Sequence, residues 1–313
     1  MKIHFWGVRG SIPTPTAPSR IKSKISAIIE QITPDDLVSQ ESRERFLAGL
    51  PPWLFGTVGG NSPCISLTFD NSNECIVFDC GSGLREMGMS QDSEIKKINK
   101  YNLFLSHFHW DHLQGLPFFG PAYNQNNKID FYSPVGNLEQ ILGGQMVPPY
   151  FPITLDVMGA KKTYHYLDKD INICGCDISH KKMNHPGGSY AYCVNENGKR
   201  FIYSTDTELI SGDFIKNDEN TAFFKGADIL VIDCQYTLGE AIEKYNWGHS
   251  AFSLAVDFAA NWSIKHMVMF HHDPTYDDQK LYGILQSARW YLERMNLKGI
   301  ELTLAYEGLE ISI

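Results

Sequence analysis

Leu103-Phe-Leu-Ser-His107-Phe-His109-Trp-Asp111-His112 begins as an apolar, strand-like run and ends in three histidines and an aspartate within six residues. In an extended turn alternate residues point the same way, so His107 and His109 can present two imidazoles to one point. Asp111 and His112 then face a second point nearby. Imidazole suits zinc, copper, iron or nickel, and one carboxylate among several nitrogens favours such a cation over calcium or magnesium. The chain has 11 histidines in 313 residues, and a merely polar loop would rarely gather three at this spacing. The segment reads as a metal site at the end of a strand.

The bulk composition narrows the class of partner. With 43% apolar and 12% aromatic residues the chain can bury a sizeable core, as one large domain or two modest ones. A formal net charge of −9 offers no basic field to steer long nucleic acid, so no long nucleic acid is expected as partner, while a small phosphate ester stays open. No apolar run is long enough to span a bilayer, and Met1-Lys2-Ile3-His4-Phe5-Trp6-Gly7 lacks a signal-peptide core, so a cytoplasmic protein without membrane contact is expected. Seven scattered cysteines fit small buried residues in a reducing compartment. Cys174-Gly-Cys176 has a spacer too short for a structural zinc knuckle.

Short β-rich runs cover 2–6, 64–69, 75–79, 101–106 and 128–132, then 190–194, 200–204, 228–233, 266–270 and 300–306. Helical periodicity marks 250–262, where Ala251, Leu254, Ala255 and Phe258 share a face, and 278–295, with a shorter helix over 137–146. Grouped strands with helices between the groups predict an α+β protein of two mixed β-sheets packed together and flanked by helices, one domain over 1–313. Residues 14–58 break the pattern with amphipathic, charge-rich pieces over 19–31 and 35–47 followed by Pro51-Pro52-Trp53-Leu54-Phe55. They read as a helical insertion. It is either a surface hairpin, suited to a homodimer contact, or a lid that brings Trp53 or Phe55 to substrate; the hairpin is favoured, because exposed aromatics mark interfaces at least as often as active sites. No internal repeat is visible.

The order of motifs resembles the metallo-β-lactamase fold superfamily. His107-x-His109-x-Asp111-His112 after a strand matches its signature, and Phe78-Asp79-Cys80-Gly81-Ser82-Gly83 resembles its early Asp-x-Gly-x-Gly turn. Met183-Asn-His185-Pro-Gly-Gly, Tyr203-Ser-Thr-Asp206-Thr and Met267-Val-Met-Phe270-His271-His272-Asp273-Pro274 follow in the family's order. Gly7-Val-Arg-Gly10-Ser11, Gly59-Gly-Asn61-Ser62 and Trp247-Gly-His249-Ser250 resemble the phosphodiesterase branch, which includes ribonuclease Z and cyclic-nucleotide phosphodiesterases. No glycine- and proline-rich basic arm suited to clamping transfer RNA is found. A histidine at position 109, where flavodiiron relatives carry an acid, argues against redox chemistry.

The resemblance implies a four-layer αβ/βα sandwich and a dinuclear hydrolase. It assigns one metal to His107, His109 and His185, a second to Asp111, His112 and His271, and a bridge to Asp206. Two divalent cations are implied, zinc first, with manganese or iron also fitting the ligands. Such a pair lowers the pKa of a shared water towards neutrality, so that hydroxide can attack a small nucleotide-like phosphodiester such as a cyclic nucleotide or cyclic phosphate. Asp111 and His249 are the candidate catalytic residues, with His249 before a helix N-terminus as hydrogen-bond donor or acid for the leaving alcohol. Other readings are a carboxylic ester, thioester or lactone hydrolase and, from another class, a metal-stabilised sensor without turnover.

Several residues carry two readings. Either His271 or His272 can face the metals, with His271 preferred, and His180 is a weak rival of His185. Asp79 either braces the His107–His112 loop or forms a local turn before Gly81. Arg9 either pairs with phosphate or forms an ordinary salt bridge, Asn61 lies near the mouth of the site, and Trp247 stacks on substrate or, more simply, is buried.

Overall fold

In the computed structural model, which describes residues 1–313, fourteen strands form two seven-stranded sheets. The first contains β1 (Lys2–Gly7), β2 (Cys64–Thr68), β3 (Glu74–Phe78), β4 (Lys100–Phe104), β5 (Lys128–Ser133) and β6 (Lys161–Tyr166). The second contains β7 (Ile171–Ile173), β8 (Cys176–Met183), β9 (Ser189–Glu196), β10 (Lys199–Ser204), β11 (Ile229–Asp233), β12 (His266–Phe270) and β13 (Glu301–Leu304). The last strand, β14 (Glu310–Ser312), returns to the first sheet beside β1, giving the orders β14-β1-β2-β3-β4-β5-β6 and β13-β12-β11-β10-β9-β8-β7. Read from β14 and from β7, each sheet has three antiparallel pairings followed by three parallel ones. The two halves repeat in architecture although no repeat is visible in sequence.

Side-chain alternation holds the layers together. Along β3, Ile76 and Phe78 enter the cluster between the sheets, while Cys75 and Val77 enter the outer cluster beneath the helix Gly83–Met89. Along β11, Ile229 and Val231 face the other sheet, while Leu230 and Ile232 face the helices Phe252–Asn261 and Asp278–Arg294. Strands buried on both faces read as continuous apolar runs, as parallel central strands do. The result is the expected α+β sandwich of two mixed sheets with helices outside.

The segment between β1 and β2 carries the helices Pro18–Ile29 and Gln40–Gly49, neither with a buried residue. Its attachment is polar: Lys24 Nζ, Thr57 Oγ1 and the Val58 N–H all donate to the Asp278 carboxylate. Trp53 lines surface grooves with Arg20 and Gln279, away from the metal-ligand cluster described below. No helix is long and apolar enough to cross a membrane.

Candidate active site

The loops leaving β4, β10, β11 and β12 converge with the β8–β9 connection and the segment after β1. Open α/β sheets bind ligands at such carboxyl ends, where loops of different strands meet. Here they gather one continuous cluster of imidazoles and carboxylates, open to solvent through a cleft of about 400 Å³ lined by Phe108, His109, Trp110, Asp111, Asp206 and His249, with Ser11.

The cluster has two halves that share one residue. In the first, Asp206 Oδ2 lies 3.5 Å from His107 Nε2 and 3.7 Å from His185 Nε2, and His185 Nε2 lies 3.2 Å from His109 Nδ1. In the second, Asp206 Oδ1 lies 3.1 Å from His112 Nε2 and 3.0 Å from His271 Nε2. Asp111 Oδ2 lies 3.1 Å from His112 Nε2 and 3.4 Å from His271 Nε2. Ligand atoms held at about 2.0–2.1 Å around a four-coordinate zinc stand about 3.3 Å apart. These spacings match such a shell in both halves.

The donor set fits cations for a second reason. Nε2 of His107 and Nε2 of His112 are buried without a hydrogen-bond partner, which is costly unless something else meets the lone pair. Burial pushes His107 well below the ordinary imidazole pKa, helped by neighbouring His112, and burial lowers His185 as well; both are held neutral and able to coordinate. For His112 burial opposes protonation, but Asp111, Asp206 and Asp79 together outweigh it and raise its pKa. Asp111 and Asp206 are penalised by burial yet kept below the usual carboxylate range by the surrounding imidazoles. The carboxylates concentrate a demand for positive charge that a divalent cation meets.

Hydrogen bonds around the cluster orient each ring. His112 Nδ1 donates to Asp79 Oδ2 at 2.8 Å, His185 Nδ1 to the Gly248 carbonyl at 2.8 Å and His271 Nδ1 to Gln235 Oε1 at 3.2 Å. With Nδ1 protonated, each ring turns the lone pair of Nε2 inwards. Asp79 also accepts from the Ser106 N–H and hydroxyl and from the Tyr203 hydroxyl, so it braces the His107–His112 loop. The Ser11 N–H donates to Asp111 Oδ2 at 2.8 Å. Ser11, Asp79, Asp206 and His271 all have positive φ, and backbone strain of this kind collects where function over-determines conformation. At His271 the left-handed turn explains how adjacent histidines diverge. His271 enters the cluster, whereas His272 donates to the Ala305 carbonyl and burial pushes its pKa down to about 3.

His249 stands beside the second half, its ring 5.0 Å from that of His271 and nearly parallel to it. Its Nδ1 lies 2.6 Å from Asp233 Oδ2, leaving Nε2 without an intramolecular partner. Burial opposes its protonation, but Asp233 outweighs this by charge and hydrogen bond and raises the pKa. The sequence reading missed Asp233. The following helix starts only at Phe252 with Ala251 as cap, so Asp233, rather than a helix N-terminus, positions His249. Arg9 is buried, donates to the carbonyls of Gly59, Asp273 and Tyr276 and stands 3.9 Å from the Asp278 carboxylate, so its contacts are those of the salt-bridge reading. Asn61 is tied to Glu307 and Ser82. Trp247 is exposed rather than buried, and His180 lies on β8 outside the cluster.

The sandwich and the cluster at its strand ends define a class: this is a metal-dependent hydrolase that binds divalent metal. The chain belongs to the beta-lactamase superfamily domain family, which matches residues 74–272. A ribonuclease Z of Picrophilus torridus is 25% identical over 71% of this chain and 84% of its own length. Among solved structures, the short form of human tRNase Z superposes with a TM-score of 0.63 at 19% identity, covering 100% of this chain and 99% of that one. Zn(2+)-bound PqqB from Methylobacterium extorquens gives 0.64 at 14% identity over 100% of both chains. The similarity therefore runs to the ribonuclease Z-like branch.

These relatives overturn one expectation. Proteins named ribonuclease Z act on RNA, so a long nucleic acid is not excluded as partner. The inference failed because net charge sums the whole surface. A local field, not the sum, decides docking.

Proposed function

We propose that the site is a two-metal phosphodiesterase centre acting on nucleotide phosphodiesters, with RNA in its substrate class. His107, His109 and His185 hold one cation, Asp111, His112 and His271 the other, and Asp206 serves both. Zinc is the first choice of metal, since imidazole-rich four-coordinate sets suit it best. The observation that carries the reading is the division of the Asp206 carboxylate, one oxygen toward each histidine group. When bound, the cations supply an acidified water and offset charge on the phosphate.

The chain's own residues supply the rest. Asp79, Gln235 and the Gly248 carbonyl hold the imidazoles in place, so little reorganisation accompanies reaction. Asp233 raises the pKa of His249 and leaves its Nε2 free beside the cleft, where the ring donates a proton to the departing alcohol oxygen. A leaving alkoxide needs that proton. The ribonuclease Z relatives support phosphorus as the electrophile.

The test is turnover by the full chain loaded with zinc, manganese or iron. The panel comprises cyclic mononucleotides, cyclic dinucleotides, 2′,3′-cyclic phosphates, oligoribonucleotides, bis-p-nitrophenyl phosphate and carboxylic esters. Metal-dependent cleavage of a phosphodiester is the expected result; ester hydrolysis alone would overturn the reading.

A further inference from the structure

We infer that Trp110 is the platform on which a nucleobase of the substrate stacks, a step that rests on the phosphodiesterase reading above. Trp110 sits between His109 and Asp111 and is 84% exposed, although Asp111 and His112 beside it are buried. Tryptophan is highly buried on average, and its indole N–H usually finds a partner when covered. Trp6 and Trp262 follow that rule, donating to Ser66 Oγ and to the Asp213 carbonyl. Trp290, also exposed, lies on the helix Asp278–Arg294 with the Arg294 guanidinium 5.4 Å from its ring. Trp110 has neither hydrogen bond nor cation, and its ring borders the cleft that holds His109, Asp111, Asp206 and His249.

The backbone beneath the ring is hydrogen-bonded. Trp110 opens a single helical turn, Trp110–His112, and its carbonyl accepts from the N–H groups of Leu113 and Gln114 at 3.0 and 2.8 Å. The turn is the one that aims His109, Asp111 and His112, so the indole is carried beside the reacting phosphate. A group bonded to that phosphate meets an apolar, electron-rich face at the rim. A nucleobase is planar and π-faced, and stacking on an aromatic side chain accepts any base. Stacking of this kind needs no charge, so it adds to whatever the local field contributes.

The experiment uses the metal-loaded full chain and two activated diesters that share a leaving group, thymidine 5′-(p-nitrophenyl phosphate) and methyl p-nitrophenyl phosphate. Trp110→Ala should raise KM for the nucleoside ester by about 5- to 150-fold, the loss expected for one base–aromatic stack, with kcat and metal content little changed. Trp110→Phe should recover most of the loss, and Trp290→Ala should behave as wild type. KM for the methyl ester should not move. An unchanged KM for the nucleoside ester in Trp110→Ala, or a parallel rise for both esters, overturns the proposal. Fluorescence titration with adenosine 5′-monophosphate separates the two inferences. Quenching lost in Trp110→Ala but kept in Trp290→Ala supports base stacking even if no phosphodiester is cleaved, an outcome that would sink only the phosphodiesterase reading. Quenching that persists in Trp110→Ala overturns the stacking proposal whatever the turnover.

Discussion

Asp233 and His249, sixteen positions apart in sequence, meet at 2.6 Å where the end of β11 faces the loop before the helix Phe252–Asn261. Asp233 Oδ1 also accepts from the Ser250 and Gln235 N–H groups, which fixes the carboxylate before it fixes the imidazole. Asp233→Asn keeps the shape but removes the charge that raises the pKa of His249. We expect kcat for phosphodiesters with poor leaving groups to fall about 10²-fold or more, and His249→Ala to cost about 10²–10⁴-fold, with metal content intact in both. For p-nitrophenyl esters, whose leaving group needs no proton, the loss should be much smaller. Equal losses on both kinds of ester would remove His249 as the acid.

Asp206 is the hinge of the two-cation reading. Asp206→Asn weakens both halves, because its two oxygens serve different histidine groups. His109→Ala removes a ligand from one half alone. Metal analysis of dialysed protein should show two ions per chain in wild type, fewer in His109→Ala and fewest in Asp206→Asn, with activity falling alongside. A chelator should abolish turnover and added zinc restore it. Two retained ions in His109→Ala would contradict the ligand assignment.

Asp79 touches no cation position, yet it accepts from His112, Tyr203 and twice from Ser106. Asn tolerates the left-handed backbone at this position, so Asp79→Asn tests the hydrogen bonds without adding strain. Loss of such supporting bonds should weaken metal binding by about 10- to 100-fold, read by competition with a chromophoric chelator. Affinity equal to wild type would reduce Asp79 to a turn residue.

What could be read from sequence follows a physical line. His107, His109, Asp111 and His112 declare themselves because one short loop cannot hide three imidazoles. Asp206 and His271 each follow a strand-like run and His185 precedes one, and these positions meet because the strand ends lie at one edge. Asp233 also ends such a run, Ile229–Asp233, but a lone aspartate after an apolar strand looks like its terminus. Parallel strands ending in Asp206 and His271 were the available signal. β6, β7, β8 and β14 escaped: β6, β7 and β14 are edge strands with no residue fully buried, β6 beginning with two lysines that guard an open edge, and β8 buries only Cys176, Ile178 and Met183 of its eight residues. Exposure is the least readable property: Arg9 is buried and Trp247 exposed, contrary to what charge and size imply, because loop contacts between distant segments decide both.

Asp278 gives a prediction about stability and pH. Its carboxylate is 7% exposed and accepts from Lys24 Nζ at 2.5 Å, the Val58 N–H at 3.0 Å and Thr57 Oγ1 at 3.1 Å, with an Arg9 nitrogen at 3.9 Å. Burial raises its pKa, but Lys24 and the hydrogen bonds outweigh this, so the folded value lies below the ordinary one. A carboxyl lowered on folding stabilises above its unfolded pKa, about 3.9, and the contribution disappears as pH falls through the folded value. Asp278→Asn should therefore destabilise the protein at pH 7 by about 1–2 kcal/mol, reduced where solvent screens Lys24, through loss of charge-assisted bonds. Denaturant titrations at pH 7 and pH 3 should show the gap between variant and wild type closing in acid. Because these bonds tie the helix Pro18–Ile29 to the body, limited proteolysis should cut the variant first within 14–58. A gap that stays constant from pH 7 to pH 3 would show that the carboxylate charge contributes nothing to holding that segment.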